Sequence, residues 1–321
     1  MSTSYRTPSR VVVALGGNVL DDNPAADTTR VDHVAEALLG LIAQGSEVII
    51  THGNGRQISM VESVFDAAED AIGTPQMDLP ECGAMTQGII GYHLQQAIGR
   101  QLHRGYKRMN VASVITQIEV EADDPAFAAP VKPIGPSFSE EKAREIAAKE
   151  PDLTYAEDSG RGWRRMVASP EPKKIVEAES ILNLLDNDFI VIACGGGGVP
   201  VVRDYADKGC YKGVPAVIEK DAAAELLAED CDAEELILLT AVDGVYTGFG
   251  TDAAQLLSEL SADEADALAA AGEFGARSMG VKVAAAVKFV RSRPGRTAVI
   301  GSLEQAAQVM HGDAGTRIYA E

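Results

Sequence analysis

The chain has 321 residues, 46% of them hydrophobic and 24% charged, which is about two domains' length with a globular composition that excludes disordered and fibrous proteins. A net charge of −20 argues against binding to nucleic acid or to an anionic membrane surface. No apolar run reaches the roughly 18 residues of a membrane span, and the first residues lack the apolar core of a signal peptide. We therefore expect a soluble, cytoplasmic protein.

The cysteines and histidines give no sign of a metal centre. The four cysteines lie far apart and form no CxxC pair, which argues against both a zinc site and a disulfide framework. The histidines show no metal-ligand spacing either, so no metal held by protein side chains is predicted.

In chain order, short apolar strands alternate with amphipathic helices, which is typical of a mostly parallel sheet covered on both faces. In the first half, the pattern predicts strands over 11–17, 46–55 and 111–120, and helices over 31–45, 84–102 and 139–150. Residues 123–138 contain four prolines and little periodicity, so we expect an excursion from the sheet there. In the second half, it predicts strands over 189–202, 235–246 and 296–301, and helices within 216–231 and over 280–292 and 302–310.

Three glycine loops follow directly on apolar strands. They are residues 16–18 (Gly-Gly-Asn), 53–55 (Gly-Asn-Gly) and 195–198 (four glycines). In an open α/β sheet, ligands bind beyond the carboxyl ends of the strands, and glycine there lets backbone N–H groups approach a phosphate closely. The loops predict an anion or nucleotide site. GxxxxGK[ST] is absent and GxGxxG is incomplete, so neither a P-loop protein nor a dehydrogenase is indicated.

Lysine is scarce, with 11 lysines against 17 arginines, so a lysine inside a proline- or glycine-rich motif is informative. Lys132 has proline next to it in PVKPIGP, Lys220 precedes Asp221 in IEKD, and Lys282 follows SMG. Together these charges could balance the oxygens of a transferring phosphoryl group, where catalysis is mostly positioning and electrostatics.

Eight segments, in this order, resemble the carbamate kinases of the amino-acid kinase superfamily, over roughly residues 11–318. They are VVALGGNVL, THGNGRQ, TQIEVEADDPAFAAPVKPIGPSF, GRGWRRMVASPEPKKIVE, IACGGGGVPV, GVPAVIEKDAAAELLA, LTAVDGVYTGFG and SMGVK. GRGWRR together with DPAF…KPIGP is specific to carbamate kinases, whereas the GGN and GGGG loops occur more widely in the superfamily.

The resemblance implies a reversible reaction in which ATP and carbamate give ADP and carbamoyl phosphate, usually run toward ATP in arginine or agmatine fermentation. It implies an α/β/α sandwich with a mostly parallel sheet, a phosphoryl-acceptor half over 1–188 and a nucleotide-binding half over 189–321. A protruding lid subdomain would span about 119–170. A homodimer and Mg²⁺ bound with ATP or ADP are also implied.

The same resemblance assigns roles to individual residues. Lys132, Lys220 and Asp221 would act at the transferring phosphate. The remaining assignments are Gly16, Gly17, Asn18, Gly53, Asn54 and Gly55 for carbamate or carbamoyl phosphate, and Ala241, Asp243, Tyr246, Met279 and Lys282 for the nucleotide. Carbamate is already an anion at neutral pH, so its oxygen can attack without a general base. His52 is therefore not needed as a base, and Asp221 is expected to orient Lys220 and Lys132.

The chain departs from the family pattern at several positions. Arg56 stands where the family's HGNGPQVG has proline, and residues 277–282 read RSMGVK where the family has GSMxPK. Loss of proline loosens a loop, and the new arginines add charge near the phosphates. Neutral drift, a larger or more anionic acceptor than carbamate, and a weakened or non-catalytic relative all remain open. The GRGWRR segment is expected to be the hinge of the lid, with its arginines facing acids of the main body.

Overall fold

The computed structural model describes residues 9–17, 19–20, 28–105, 108–158, 160, 162–275 and 279–321, without the side chain of residue 70. Its helices are α1 Thr29–Ala43, α2 Gly55–Ile72, α3 Leu79–Arg104, α4 Glu140–Lys149, α5 Ala178–Leu185, α6 Lys220–Asp230, α7 Ala262–Ala270, α8 Met279–Ser292 and α9 Ala306–His311. Its strands are β1 Arg10–Leu15, β2 Glu47–His52, β3 Asn110–Ser113, β4 Gln117–Glu119, β5 Lys132–Phe138, β6 Thr154–Glu157, β7 Trp163–Val167, β8 Lys174–Ile175, β9 Phe189–Ile192, β10 Val199–Asp204, β11 Cys210–Gly213, β12 Glu235–Thr240, β13 Val245–Thr247, β14 Gln255–Leu257, β15 Glu259–Ser261, β16 Thr297–Ser302 and β17 Thr316–Tyr319.

The central sheet has eight strands in the order β15-β17-β16-β12-β1-β2-β9-β3. All neighbouring strands in it are parallel except β16 and β17. Alternate side chains of β1 enter two separate cores: Val12 packs in the layer that includes α6 and α8, and Val13 packs in the layer that includes α1, α3 and α9. Two helical layers therefore cover one mostly parallel sheet, and the predicted α/β/α sandwich is confirmed.

A smaller antiparallel sheet, here called the lid sheet, has the order β5-β7-β6 and carries α4. It spans residues 132–167, within the predicted lid of about 119–170. Pro133 and Pro136 lie in β5, and β5 is an edge strand, the position in a sheet that tolerates proline. The proline-rich excursion thus contains a regular strand, which its lack of periodicity did not predict.

Three predicted strands are each divided in the structure; one of them, 189–202, becomes β9 and β10 on either side of the glycine loop at 195–198. Residues 111–120 form β3 in the central sheet and β4 in a second sheet of order β11-β10-β4-β8. The break covers residues 114–116. There the buried side-chain amide of Gln87 bonds to both the N–H and the C=O of Thr116, and the same C=O accepts from the Val199 N–H of β10. Residues 235–246 likewise divide into β12 and the start of β13.

Helices α2, α5 and α7 are additions that the sequence patterns did not predict. No helix within the described ranges has the length and apolarity to cross a membrane. The four cysteines are free thiols, and Cys210 alone among them is exposed.

Candidate active site

The glycine loops at residues 16–17, 53–55 and 195–198 meet at one edge of the central sheet. They follow β1, β2 and β9, which are adjacent and parallel, so their carboxyl ends share that edge. The sequence-predicted Gly16, Gly17, Gly53, Asn54 and Gly55 come together there. Asn18 lies outside the described residues.

The loops pack so closely that side chains cannot enter the space between them. A Cβ atom on Gly53 would lie 2.8 Å from the Gly17 Cα, and one on Gly195 would lie 2.3 Å from the His52 Nε2. At Gly196, which has a φ of +68°, a Cβ would lie 2.1 Å from the Asn54 Nδ2. Glycine is required here by contact as well as by backbone conformation, and the resulting surface is largely main chain.

Buried threonine side chains that the sequence analysis did not identify stabilise the loops by hydrogen bonds. The Asn54 Nδ2 donates to the Thr86 Oγ1 at 2.8 Å, and the Thr51 hydroxyl donates to the Cys194 carbonyl at 2.9 Å. The Cys194 N–H donates to the Thr116 Oγ1 at 3.0 Å. No local motif marks Thr86 or Thr116, because each is brought to the loops by a different element, α3 and the β3–β4 connection. Cys194 is itself fully buried.

His52 is buried beside these loops and stays neutral. Burial lowers the pKa of His52 to about 4, and the Lys220 ammonium acts in the same direction, although the Gly53 carbonyl 3.2 Å from Nδ1 opposes it. A histidine with this pKa is uncharged at pH 7 and is a weak proton acceptor. The prediction that the reaction does not use His52 as a base is compatible with this environment.

Three ionic side chains converge where α6 and α8 begin. The Lys220 Nζ lies 2.6 Å from the Asp221 Oδ1, and the Lys282 Nζ donates to the Asp221 Oδ2 at 2.8 Å. All three side chains are at most 14% exposed. Burial by itself would raise the pKa of Asp221, but the two ammonium groups outweigh it and hold the value at about 2. Asp221 is therefore ionised at neutral pH and too weak a base to remove a proton.

Lys220 carries a buried charge with unused hydrogen-bonding capacity. Burial lowers the pKa of Lys220, while the neighbouring Asp221 carboxylate raises it. The Lys220–Asp221 contact is close but poorly aligned, and the Lys220 Nζ makes no aligned hydrogen bond to the part of the chain that the structure describes. A buried ammonium normally finds hydrogen-bond acceptors. Lys220 is thus poised to donate to the oxygens of an anion.

Lys132 has a different ion-pair partner from the one predicted. It extends from β5 of the lid sheet and forms an ion pair with Glu219, the residue immediately before α6. Asp221 contacts Lys220 and Lys282, so the expectation that it also orients Lys132 is wrong; Glu219 occupies that role. The pair joins Lys132 to the residue that directly precedes Lys220 in the chain.

Residues 163–165 of the GRGWRR segment lie in β7 of the lid sheet, and Arg164 and Arg165 have different partners. Arg165 pairs with Glu62 of α2, in the main body as predicted. Arg164 instead pairs with the buried Asp158 and donates twice to the Gly135 carbonyl, all within residues 132–167. The hinge prediction is therefore wrong for residues 163–165, because their backbone pairs with β5 and β6. Arg161 lies outside the described residues.

The predicted nucleotide residues fall into two groups. Tyr246 and Met279 line one cavity of about 220 Å³, together with Phe249 and Phe274, and Lys282 is on the first turn of α8 beside Met279. Ala241 lines another cavity of about 300 Å³, and the exposed Asp243 lies in the turn after β12. The aromatic character of the first cavity suits a planar base.

Within the described ranges, no group of three or more His, Cys, Asp or Glu side chains is arranged to hold a metal ion. Mg²⁺ in phosphoryl-transfer sites is commonly held by one or two carboxylates together with substrate phosphates and water.

Comparison with known proteins agrees with this geometry. The model of the amino acid kinase family matches residues 9–302. A carbamate kinase from Pyrococcus horikoshii is 42% identical over 316 residues, covering 97% of this chain and 99% of that protein. The carbamate kinase-like protein YqeA of Escherichia coli is 44% identical over 311 residues, covering 96% and 98%. The structure of Giardia lamblia carbamate kinase bound to AMP-PNP superposes with a TM-score of 0.88 at 36% identity, covering 98% and 99%.

The fold and the glycine loops define the class: this is a kinase of the amino acid kinase family. Full-length similarity to several carbamate kinases narrows this further. Within the family, the chain belongs to the carbamate kinases, and the resemblance seen in the sequence is confirmed.

Proposed function

We propose that this protein transfers a phosphoryl group reversibly between ATP and carbamate, so that ADP and carbamoyl phosphate give ATP and carbamate. The observation that carries the proposal is the buried Lys220 ammonium, which lacks an aligned hydrogen bond and lies between the glycine loops and the start of α8. Similarity to carbamate kinases over nearly the whole chain supports the choice of acceptor.

The chemistry requires charge balance and no proton transfer. Backbone N–H groups of the glycine loops would bind the carbamoyl phosphate, with Lys132 reaching it from the lid sheet. Lys220 and Lys282 would offset the charge on the transferring oxygens, which is the main contribution an enzyme makes to phosphoryl transfer. Asp221, ionised and paired with both lysines, would fix their positions.

The two partners of the reaction would occupy opposite halves of the cleft. Carbamate would bind in the half formed by residues 1–188, and the nucleotide in the half formed by 189–321, with Tyr246 and Met279 beside its base and Ala241 and Asp243 nearby. We propose that the nucleotide binds as its Mg²⁺ complex, since a divalent ion supplies positive charge between phosphates.

We also propose a cytoplasmic homodimer. Five exposed apolar side chains form a continuous face on α2 and α3: Met60, Val64, Met85, Ile89 and Tyr92. Exposed apolar patches of this kind mark protein–protein contacts, and one such face on each copy suits a two-fold symmetric dimer. Light scattering should give about twice the chain mass of 33.8 kDa, and Met85→Glu should shift it toward the monomer. A monomeric wild-type protein would disprove this part of the proposal.

A changed acceptor is the second candidate. Arg56 is exposed on the first turn of α2, next to the glycine loop at 53–55, and one full-length relative is named only as carbamate kinase-like. An arginine at this position could contact an acceptor larger or more anionic than carbamate.

The test is ATP formation from ADP, Mg²⁺ and carbamoyl phosphate, coupled to hexokinase and glucose-6-phosphate dehydrogenase. Acetyl phosphate and other acyl phosphates serve as comparison substrates, and spontaneous breakdown of carbamoyl phosphate is subtracted. Turnover of about 10 s⁻¹ or more, the median for enzymes, with preference for carbamoyl phosphate is expected. Preference for another acyl phosphate would favour the second candidate, and ADP binding without any turnover would indicate a non-catalytic relative.

A further inference from the structure

Glu219 makes an unusual contact for a residue at the start of a helix. It occupies the N-cap position of α6, yet its side chain makes no hydrogen bond to the helix N-terminus. The carboxylate instead reaches across the cleft to the Lys132 ammonium of β5. Glutamate is not among the side chains that commonly cap a helix N-terminus, so the contact with the lid sheet is made without loss of a normal capping hydrogen bond.

The ion pair joins two parts of the molecule that the proposed reaction must bring together. Lys132 belongs to the lid sheet, whereas Glu219 directly precedes Lys220 and Asp221. The lid sheet is also attached to α2, through the Arg165–Glu62 ion pair and a 3.0 Å hydrogen bond from the Gly135 N–H to the Ser59 Oγ. Those contacts fix the lid sheet to the acceptor half, and the Lys132–Glu219 pair fixes it to the helix that carries Lys220.

We propose that Glu219 is a positioning residue that holds Lys132 above the start of α6 before the anionic substrate binds. This inference rests on the proposed function and adds a residue to it. The Lys132 and Glu219 side chains are 28% and 36% exposed, so water can screen the pair and the ammonium can exchange the carboxylate for a phosphate oxygen. Holding the ammonium near its working position reduces the conformational entropy that substrate binding must overcome.

The first test measures the ligand-free protein and does not depend on activity. Glu219→Gln keeps the shape of the side chain and removes its charge. Hydrogen–deuterium exchange of β5 amides, residues 132–138, should become about fivefold faster, the factor that corresponds to about 1 kcal/mol for a half-exposed ion pair. The control is Glu171→Gln, which removes the carboxylate of the exposed Lys173–Glu171 pair and should leave exchange in β5 unchanged. Equal exchange of β5 in wild type and Glu219→Gln would overturn the proposal.

The second test separates positioning from general destabilisation. Glu219→Gln should raise the KM for carbamoyl phosphate about fivefold and leave the KM for ADP and kcat within twofold. Glu219→Asp retains the charge, and the long Lys132 side chain can follow it, so this variant should restore the KM to within twofold of wild type. In a Lys132→Met background, Glu219→Gln should have no further effect, because Glu219 acts through Lys132.

Three outcomes of the kinetic test would contradict the proposal. They are a lower KM for carbamoyl phosphate in Glu219→Gln, an equal rise in both KM values, and a further fivefold rise in the Lys132→Met background. Absence of carbamoyl phosphate turnover in the wild-type enzyme would instead contradict the proposed function. The exchange measurement would then still decide whether Glu219 holds the lid sheet.

Discussion

The glycine loops and the lid sheet are both packed against the body, but the lid sheet also reaches it through partly exposed ion pairs. The loops at 16–17, 53–55 and 195–198 are fixed by backbone contacts so close that a single Cβ would overlap its neighbours. The lid sheet packs on α2 through a buried apolar cluster that includes Ile134, Val167 and Ile58, and its charged side chains reach the body through two partly exposed ion pairs, Lys132–Glu219 and Arg165–Glu62. Close packing fixes geometry permanently, whereas partly exposed ion pairs can exchange partners. The comparison indicates closely packed glycine loops opposed by the Lys132 ammonium, which can change its partner.

The largest effect is expected at Lys220, where the glycine loops meet the buried charge. Lys220→Ala should lower kcat by about 10²–10³-fold, equivalent to about 3–4 kcal/mol, if this ammonium faces the charge that develops during transfer. Steady-state kinetics of ATP formation measures it, with circular dichroism as a check of folding. A folded variant with near-normal kcat would remove Lys220 from the chemistry.

Close packing of the loops should appear as a loss of stability. Gly53→Ala places a Cβ 2.8 Å from the Gly17 backbone, and overpacking of this kind typically costs about 1–3 kcal/mol. We expect the upper end, because the contact is with main chain and cannot be relieved by a rotamer change. The matched control is Gly99→Ala in the middle of α3, where nothing lies within 4 Å of the added Cβ; it should gain about 0.5–1 kcal/mol. Urea unfolding of both variants checks this. Equal free energies of unfolding for Gly53→Ala and the wild type would show that the loop backbone can shift to accept the extra Cβ.

The pH dependence of stability is a further property of the loop region. His52 has a folded pKa of about 4 against an unfolded value near 6.5, so the unfolded chain binds more protons between these values. The stabilisation is fully present above pH 6.5 and is lost as the pH falls toward 4, by about 2 kcal/mol between pH 7 and 5. His52→Gln should reduce the change in the free energy of unfolding between pH 7 and 5. His103→Gln, at an exposed histidine, should not. An unchanged slope in His52→Gln would show that His52 is not the group responsible.

The smallest effect is expected for Lys132 of the lid sheet, whose ion pair is partly exposed. Lys132→Ala should raise the KM for carbamoyl phosphate about fivefold, since one partly exposed charge contact corresponds to at most about 1 kcal/mol. ADP affinity, measured by calorimetry, should stay nearly unchanged because Lys132 belongs to the lid sheet. Equal losses of affinity for carbamoyl phosphate and for ADP would place Lys132 on the nucleotide side of the cleft. The proposed contrast between the glycine loops and the lid sheet would then not hold.

Local sequence was sufficient for the elements whose patterns are self-contained. The apolar run of β1, the amphipathic α1 and the charged α4 were predicted close to their observed bounds. The periodicity of their apolar residues and the residues that end each element lie within the same short stretch of chain. Helix α2 was missed, since it begins inside the glycine loop that marked the end of β2. Strands β3 and β4 were merged, since Gln87, whose side chain bonds to the backbone between them, comes from a helix far away in the chain.

The sequence by itself determined the sheet type, the glycine loops, the informative lysines and the carbamate kinase family, because these depend on residue type and spacing along the chain. Only the tertiary structure decided which charges meet. Asp221 pairs with Lys220 and Lys282, and Lys132 pairs with Glu219. Ion pairing depends on distances of a few ångström between side chains from separate elements, and residue spacing in the chain does not encode those distances. The neutrality of His52 has the same origin, because burial that lowers a pKa exists only once β2, the loop at 195–198 and α6 have packed together.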